Sequence, residues 1–229
     1  MTSTPPIARI ASEHSLTVER TARYYTLGAE SAADEVWFVC HGYAQLAARF
    51  VDTFQLIADE RRLIVAPEGL SRFYVEVATR SASGRTVGAS WMTRDDRLNE
   101  IADYVRYLDA VYERVFSTLP RDNVRVTALG FSQGVATVCR WLARRTATAE
   151  HIVLWAATLP PELPYERGPS LFNGARISLV LGDRDAAIDR ASFDDNEGTL
   201  RANGFPVSRH RFAGGHRLDN DLLRELARR

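Results

Sequence analysis

The sequence predicts an α/β fold in which helices cover both faces of a mostly parallel, twisted sheet. Short runs of Val, Ile, Leu and other apolar residues recur along the chain at Val36–Cys40, Leu63–Ala66, Val124–Leu129, Ile152–Ala157 and Ile177–Leu181. Runs without polar alternation are typical of strands buried on both faces of a parallel sheet. Segments with helical spacing lie between these runs, and the alternation of strand and helix favours right-handed crossovers between parallel strands.

The remaining elements complete the predicted sheet at its two ends. Leu16–Glu19 and Ala22–Leu27 alternate as exposed strands do, and their short separation predicts an antiparallel pair at the first edge. Val207–Phe212 predicts the last strand. Helical spacing of apolar residues predicts helices around Leu46–Ile57, Leu98–Val115, Val135–Leu142 and Leu222–Leu226.

Two stretches, Tyr74–Arg94 and Leu159–Gly174, have weak secondary-structure signals. Long loops in a compact domain are often functional. The sequence leaves open whether Leu159–Gly174 acts as a lid over a cleft.

Composition and charge indicate one globular domain that acts on a small molecule. A chain of 229 residues fits a single α/β domain, so we expect residues 1–229 to form one. Lys plus Arg and Asp plus Glu both number 29, a balance that argues against a nucleic acid or an anionic membrane surface as partner. No apolar run reaches the roughly 20 residues that span a bilayer. Met1–Ser15 lacks the apolar core of a signal peptide, so we expect a cytoplasmic protein without stable membrane insertion.

The chain has only two cysteines, Cys40 and Cys139, and both fall in apolar segments. We expect buried free thiols, because this pattern supports neither a disulfide scaffold nor a metal site.

Gly130-Phe131-Ser132-Gln133-Gly134 matches the G-x-S-x-G pattern of a nucleophile on a sharp turn. The pattern alone is weak, but a predicted buried strand precedes it and a predicted amphipathic helix follows it. Such a turn exposes the serine hydroxyl at the carboxyl end of the sheet and aims the free N–H groups of the helix at a forming oxyanion. Ser132 is therefore the candidate nucleophile.

A serine hydroxyl needs a neighbouring imidazole to take its proton. In folds with this turn the acid and then the histidine follow the serine along the chain, which excludes His14 and His41 as the base. Of the later histidines, His216 lies on the loop after the last predicted strand, whereas His210 lies within that strand. We expect His216 to be the base, because a loop residue can reach the end of another strand.

Asp183 and Asp185 both follow the strand Ile177–Leu181 and are the candidate acids. Hydrophobic periodicity does not distinguish them. The unchosen carboxylate is expected to cap the loop.

Two backbone N–H groups are expected to stabilise an oxyanion at this site. One belongs to Gln133, directly after the nucleophile, and the other to Tyr43, in the segment His41-Gly42-Tyr43 after the strand Val36–Cys40. Gly42 would let the backbone approach a substrate closely.

These residues together resemble the phospholipase/carboxylesterase branch of the α/β-hydrolases, which includes bacterial carboxylesterases and acyl-protein thioesterases. The resemblance covers about residues 36 to 216 and rests on His41-Gly42, Ala66-Pro67-Glu68, Ser90-Trp91, Gly130-Phe131-Ser132-Gln133-Gly134, Gly182, Asp185, Ile188 and Gly215-His216. It implies an α/β-hydrolase fold, selects Asp185 over Asp183, and implies that Ser90-Trp91 lines the substrate cleft. The chain departs from the family pattern at Tyr43-Ala44-Gln45, where a glycine and an aspartate are usual.

The expected function is that of a serine hydrolase that cleaves carboxylic esters through an acyl-enzyme on Ser132, without a metal or an organic cofactor. Trp91, Met92, Phe73 and Tyr43 are candidate walls of an apolar pocket. A thioesterase or lysophospholipase would use the same triad, and a non-catalytic binding module on this fold is the alternative of a different class. The expected partner is a small-molecule ester or thioester, and homodimerisation stays open.

Overall fold

A computed structural model describes residues 11–75 and 86–228, in which nine strands and five α-helices follow one another. The strands are β1 (Tyr24–Gly28), β2 (Glu35–Cys40), β3 (Arg62–Pro67), β4 (Ser71–Val75), β5 (Thr86–Ser90), β6 (Arg125–Phe131), β7 (His151–Trp155), β8 (Arg176–Gly182) and β9 (Val207–Phe212). The α-helices are α1 (Ala47–Phe50), α2 (Arg97–Phe116), α3 (Gln133–Ala143), α4 (Arg190–Ala202) and α5 (Asn220–Ala227). Three 3₁₀ helices, Val51–Leu56, Arg121–Asn123 and Tyr165–Phe172, complete the described elements.

The main sheet has seven strands in the order β1-β3-β2-β6-β7-β8-β9. All its neighbouring pairs are parallel except β1 with β3, which is antiparallel. The predicted α/β class, the mostly parallel sheet and the antiparallel first edge are therefore confirmed. Because six parallel strands end at the same edge, the loops after β2, β6, β8 and β9 lie together there.

Buried residues pack on both faces of this sheet, as the unbroken apolar runs predict. In β2, Val36, Phe38 and Cys40 join one core, whereas Trp37 and Val39 join the other. Helices α2, α3 and α4 supply Tyr104, Trp141 and Phe193 to the first core, and α1 and α5 supply Phe50 and Leu223 to the second. Cys40 and Cys139 are fully buried free thiols, as expected.

The prediction of a strand at Leu16–Glu19 was wrong. The chain has no regular structure from residue 11 to 23, and Leu16 and Val18 are 87% and 72% exposed. Strand β1 instead pairs with β3, with Tyr25 opposite Ala66. Polar alternation signals a strand only where one face is buried, and here neither face meets the core.

Strands β4 and β5 form an antiparallel hairpin that the sequence did not predict. The hairpin lies within the Tyr74–Arg94 region of weak signals and just before it. Its short strands contain a glycine, two serines and a charged residue, so they lack a clear hydrophobic pattern.

The segment Leu159–Gly174 contains the 3₁₀ helix Tyr165–Phe172, in which Leu171 and Phe172 are buried. Glu162 attaches this segment to the helices, because its carboxylate accepts from Arg97 at 2.6 Å and Arg140 at 2.7 Å. The segment is thus packed and ion-paired. Within the described residues, no helix is long and apolar enough to cross a membrane.

Candidate active site

Ser132 lies at the turn between β6 and α3 and has a backbone conformation that L-residues rarely adopt, with φ 52° and ψ −120°. Two hydrogen bonds hold this turn: the Ser132 N–H donates to the Trp155 carbonyl at 2.9 Å, and the Val135 N–H donates to the Ser132 carbonyl at 2.9 Å. Such strain persists only where the surroundings fix it, and it is common at functional sites.

Gly130 and Gly134 allow the close packing of this turn. A Cβ on Gly130 would lie 2.4 Å from the Gly134 carbonyl oxygen, and a Cβ on Gly134 would lie 2.1 Å from the Cys40 carbonyl oxygen. Both distances are far below van der Waals contact, so no larger residue fits without moving the backbone. Helix α3 therefore starts directly against the end of β2.

His216, on the loop after β9, joins the serine to a carboxylate. Its Nε2 lies 3.0 Å from Ser132 Oγ, and its Nδ1 lies 2.9 Å from Asp185 Oδ2. An ionised carboxylate only accepts, so Nδ1 carries the proton and Nε2 is free to accept from the serine hydroxyl. The His216 side chain is 31% exposed, which leaves the pair accessible to a ligand.

Asp185 has a fully buried side chain, and its second carboxylate oxygen accepts from the Ala187 N–H at 2.9 Å. The loop after β8, which carries Asp185 (the acid loop), is hydrogen-bonded to the loop after β9, which carries His216 (the histidine loop), because the Arg184 N–H donates to the Gly214 carbonyl at 2.8 Å. Asp183 faces away, is 46% exposed and pairs with Arg211 at 2.8 Å. The structure thus brings Asp185 rather than Asp183 to the histidine.

The other candidate base, His210, lies outside this group. Its Nε2 is 3.1 Å from Ser208 Oγ within β9. Of the two candidate bases, the structure brings only His216 to Ser132.

His41 is completely buried and supports the loop after β2. Its Nε2 accepts from the Gly69 N–H at 2.9 Å, so Nδ1 carries the proton and lies 2.7 Å from the Gly42 carbonyl. Burial lowers the pKa of His41 from its ordinary value, which keeps the ring neutral. Sequence reasoning excluded His41 as the base but missed this supporting role.

Glu68 anchors the same loop from the other side. Its buried carboxylate accepts from the Ala47 N–H at 3.2 Å and pairs with Arg23 at 2.8 Å and Arg72 at 3.2 Å. Burial alone would raise the pKa of Glu68, but the hydrogen bonds from the two arginines outweigh it and lower the pKa. The carboxylate therefore stays charged and connects α1, the hairpin and the chain before β1.

The two predicted oxyanion donors lie on segments that adjoin Ser132. A Cβ on Gly42 would lie 3.2 Å from Ser132 Cβ, so the backbone before Tyr43 runs directly against Ser132. Among the described residues, no protein group accepts a hydrogen bond from the N–H of Tyr43 or of Gln133. Both N–H groups therefore stay candidate oxyanion donors.

The side chain of Gln133 fixes the segment after β5. Its amide donates to Ser90 Oγ at 3.0 Å and to the Met92 carbonyl at 2.8 Å, and its carbonyl accepts from the Trp91 N–H at 3.1 Å. Sequence reasoning used only the backbone of Gln133. A polar side chain between a nucleophile and an apolar helix is the signal that could have pointed to this role.

The residues expected to form the pocket walls differ in burial and in their contacts. Trp91 is 1% exposed and donates through its indole N–H to the His41 carbonyl at 2.8 Å, so it supports the loop from the core and does not line a cleft. Its large apolar ring is better buried than exposed beside the polar site. Met92 is half-buried near Arg140, and Phe73 stacks on the exposed ring of Tyr43.

A cavity of about 620 Å³ lies beside the acid loop. Its lining combines apolar and polar side chains from the segment after β7, from the loop after β8 and from α4, including Leu159, Pro161, Tyr165, Ile188, Ser192 and Asn196. Within residues 11–75 and 86–228, no group of three or more His, Cys, Asp or Glu side chains is placed to hold a metal ion.

No family model matches the sequence, and no curated protein matches it either. Solved structures do share its fold. Acyl-protein thioesterase 2 of Zea mays is 16% identical with a TM-score of 0.67, over 91% of this chain and 97% of that one. A carboxylesterase from Mesorhizobium loti is 19% identical with a TM-score of 0.66, over 90% of this chain and 93% of that one. The carboxylesterase of Bacillus cereus is 14% identical with a TM-score of 0.64, over 90% and 92% of the two chains. The chain therefore has the α/β-hydrolase fold.

Proposed function

We propose that this protein is a serine hydrolase that cleaves carboxylic esters through an acyl-enzyme on Ser132. The observation that carries the proposal is the hydrogen-bonded series Asp185, His216 and Ser132, with heavy-atom distances of 2.9 and 3.0 Å. A serine, an imidazole and a buried carboxylate in this order form the arrangement that activates a hydroxyl for acyl transfer. The named structural neighbours, which include carboxylesterases and a thioesterase, agree with this chemistry.

In the first half-reaction, Ser132 Oγ bonds to the ester carbonyl carbon while His216 Nε2 takes the hydroxyl proton. The carbonyl π electrons move to the oxygen, which the N–H groups of Tyr43 and Gln133 stabilise. When the intermediate collapses, the bond to the alcohol oxygen breaks and His216 returns the proton to that oxygen. Asp185 holds the tautomer of His216 and stabilises the imidazolium that forms.

In the second half-reaction, water attacks the acyl-enzyme while His216 takes one of its protons. The intermediate releases the carboxylic acid, and Ser132 Oγ regains its proton from His216. Atoms and charge balance without a metal or an organic cofactor.

The test is intact-mass spectrometry after incubation with a fluorophosphonate, followed by peptide mapping and by turnover of p-nitrophenyl acetate and octanoate. We expect one adduct in the wild-type protein, on Ser132. The Ser132→Ala variant should show neither the adduct nor turnover. The exposed Ser117, at the end of α2, provides the matched control Ser117→Ala, which should retain both. Equal turnover in Ser132→Ala and wild type would overturn the assignment of Ser132 as the nucleophile. The absence of both adduct and turnover in the wild-type protein would favour a non-catalytic binding module.

A thioesterase or lysophospholipase activity is the second candidate, because the same triad serves a different leaving group and one structural neighbour is an acyl-protein thioesterase. Turnover of an ester and a thioester with the same acyl chain would rank the two. The cytoplasmic location, the lack of a nucleic acid partner and of membrane insertion, and the capacity to form a homodimer stay predictions.

A further inference from the structure

Two aromatic rings from different elements stack on each other, and one of them belongs to the loop that adjoins Ser132. The ring of Tyr43, in the loop after β2, lies 5.1 Å from the ring of Phe73, in β4, with an interplanar angle of 29°. Tyr43 is nevertheless 59% exposed, unlike almost every other large aromatic residue of the described chain. Because stacking covers one face of the Tyr43 ring, its exposed area belongs to the opposite face and the edge.

The hairpin holds this pair in place. An isolated antiparallel bridge joins the loop after β2 to the hairpin, since the Ala44 N–H donates to the Ala89 carbonyl at 2.9 Å and the Ala89 N–H donates to the Gln45 carbonyl at 3.2 Å. A Cβ on Gly88 would lie 2.6 Å from the Ala44 carbonyl oxygen, so a glycine is needed for this approach. The Tyr43 side chain thus projects from a loop whose backbone is fixed on both sides.

The aromatic pair is also fixed relative to the reacting atoms. Gly42, the residue before Tyr43, runs against Ser132, because a Cβ added to this glycine would lie only 3.2 Å from Ser132 Cβ. The Tyr43 N–H is a proposed oxyanion donor. A substrate whose carbonyl oxygen binds that N–H therefore contacts the backbone of the residue that carries one of the two stacked rings.

We propose that the Tyr43–Phe73 pair binds an aromatic group carried next to the reacting carbonyl, so that aryl-bearing carboxylic esters are the preferred substrate class. This assignment rests on the proposed function. An exposed ring with one free face stacks on a planar ring in the offset or edge-to-face geometry that aromatic quadrupoles favour. A puckered saturated ring of similar size gains the hydrophobic contact but not this interaction.

The test compares each phenyl ester with its cyclohexyl counterpart in two series. Methyl phenylacetate and methyl cyclohexylacetate place the ring on the acyl side, and benzyl acetate and cyclohexylmethyl acetate place it on the alcohol side. The measured quantity is the phenyl-to-cyclohexyl ratio of kcat/KM. We expect this ratio to fall about 2- to 10-fold in Tyr43→Leu in at least one series, and to be retained in Tyr43→Phe.

Two further variants make the test specific. Phe73→Leu should lower the same ratio, because it removes the support of the Tyr43 ring. Tyr74 follows Phe73 in β4 and points to the opposite face of the hairpin, so Tyr74→Leu is the matched control and should leave the ratio unchanged.

The outcomes separate this inference from the proposed function. If Tyr43→Leu and Phe73→Leu keep the wild-type ratio in both series while turnover still depends on Ser132, the aromatic preference is overturned and the hydrolase assignment stands. If turnover does not depend on Ser132, the proposed function itself fails.

Discussion

Asp183 and Asp185 stand two positions apart on one loop but occupy opposite environments. The Asp185 side chain is fully buried against His216, whereas Asp183 is 46% exposed and pairs with Arg211. The sequence pattern did not distinguish them, because burial of a loop carboxylate depends on which other loop closes over it. Here the contact from Arg184 to Gly214 brings the histidine loop over Asp185, and only the resemblance to a family pointed to that choice.

Replacing Asp185 by asparagine should abolish most activity. An amide at this position no longer requires Nδ1 of His216 to carry the proton, and it cannot stabilise the imidazolium. We expect kcat to fall by about 10⁴-fold, in line with the loss known for this change in serine proteases. Steady-state kinetics on p-nitrophenyl acetate measure the change, and Asp183→Asn should stay within a few-fold of wild type. A similar loss in both variants would contradict the assignment of the acid.

His41 should make the protein less stable in mild acid. Burial lowers its pKa in the native state below the ordinary 6.5, so the unfolded chain binds a proton that the native protein does not. The free energy of unfolding therefore decreases as the pH falls below about 6.5, by up to about 1.4 kcal/mol per pH unit, until the lowered native pKa is reached.

Urea unfolding between about pH 7.5 and pH 5.5 measures this dependence. His41→Gln should show a shallower decrease than wild type, although it is less stable throughout. The exposed His14 gives the matched control, because His14→Gln removes a histidine without disturbing the core. Equal slopes in His41→Gln and wild type would rule out His41 as the source.

At the scale of elements, local patterns predicted the strand, turn and helix around Ser132 because each carries its own signal. The buried strand, the two glycines and the amphipathic helix are adjacent in sequence. The β4–β5 hairpin was missed for the opposite reason. Its position depends on non-local hydrogen bonds with the loop after β2, which leave no local pattern in the sequence. The segment Leu16–Glu19, which was wrongly predicted as a strand, has the alternating pattern but pairs with no strand of the sheet.

Two glycine-to-alanine variants should have opposite effects. Gly134→Ala places a Cβ 2.1 Å from the Cys40 carbonyl oxygen, and we expect a loss of about 3 kcal/mol of stability. Gly198→Ala, within α4, meets no atom within 4 Å and should gain about 0.5 to 1 kcal/mol. Chemical denaturation measures both. A Gly134→Ala protein as stable as wild type would show that the packing of the turn is looser than described.

On the scale of the whole molecule, the two ends of the sheet have different roles. The site occupies the carboxyl ends of the parallel strands. At the opposite end, Arg62 and Glu35 begin β3 and β2 and form an ion pair at 2.8 Å with side chains only 12% and 10% exposed. Arg62 also donates to the Ala227 carbonyl at 2.9 Å, which connects the sheet to the last helix.

Arg62→Met should therefore lower stability and leave catalysis unchanged. Removing Arg62 leaves the buried Glu35 carboxylate with only the longer ion pair to Arg125, at 3.4 Å, and we expect a loss of about 3 kcal/mol. Arg106→Met breaks an exposed pair with Asp103 in α2 and should cost less than about 1 kcal/mol. Urea midpoints and kcat on the same samples measure both effects. A fall in kcat of the folded Arg62→Met protein would contradict the separation of the two ends.

Labelling of the two buried thiols can measure how often the structure opens around them. Cys40 is the last residue of β2, before the loop that carries Tyr43, and Cys139 lies on α3, which begins at Gln133. Each buried thiol therefore belongs to an element that adjoins one proposed oxyanion donor. Burial raises the pKa of both thiols, and a disulfide reagent reacts only with an exposed thiolate. In native buffer, labelling should be at least about 100-fold slower than in denaturant, because a buried thiol reacts only when the structure opens locally around it. The labelling rate therefore measures how often the packing around β2 and α3 opens. Each single variant, Cys40→Ala or Cys139→Ala, leaves one thiol and therefore reports opening around one element, α3 or β2. Rapid labelling of the native protein would show that these elements open frequently.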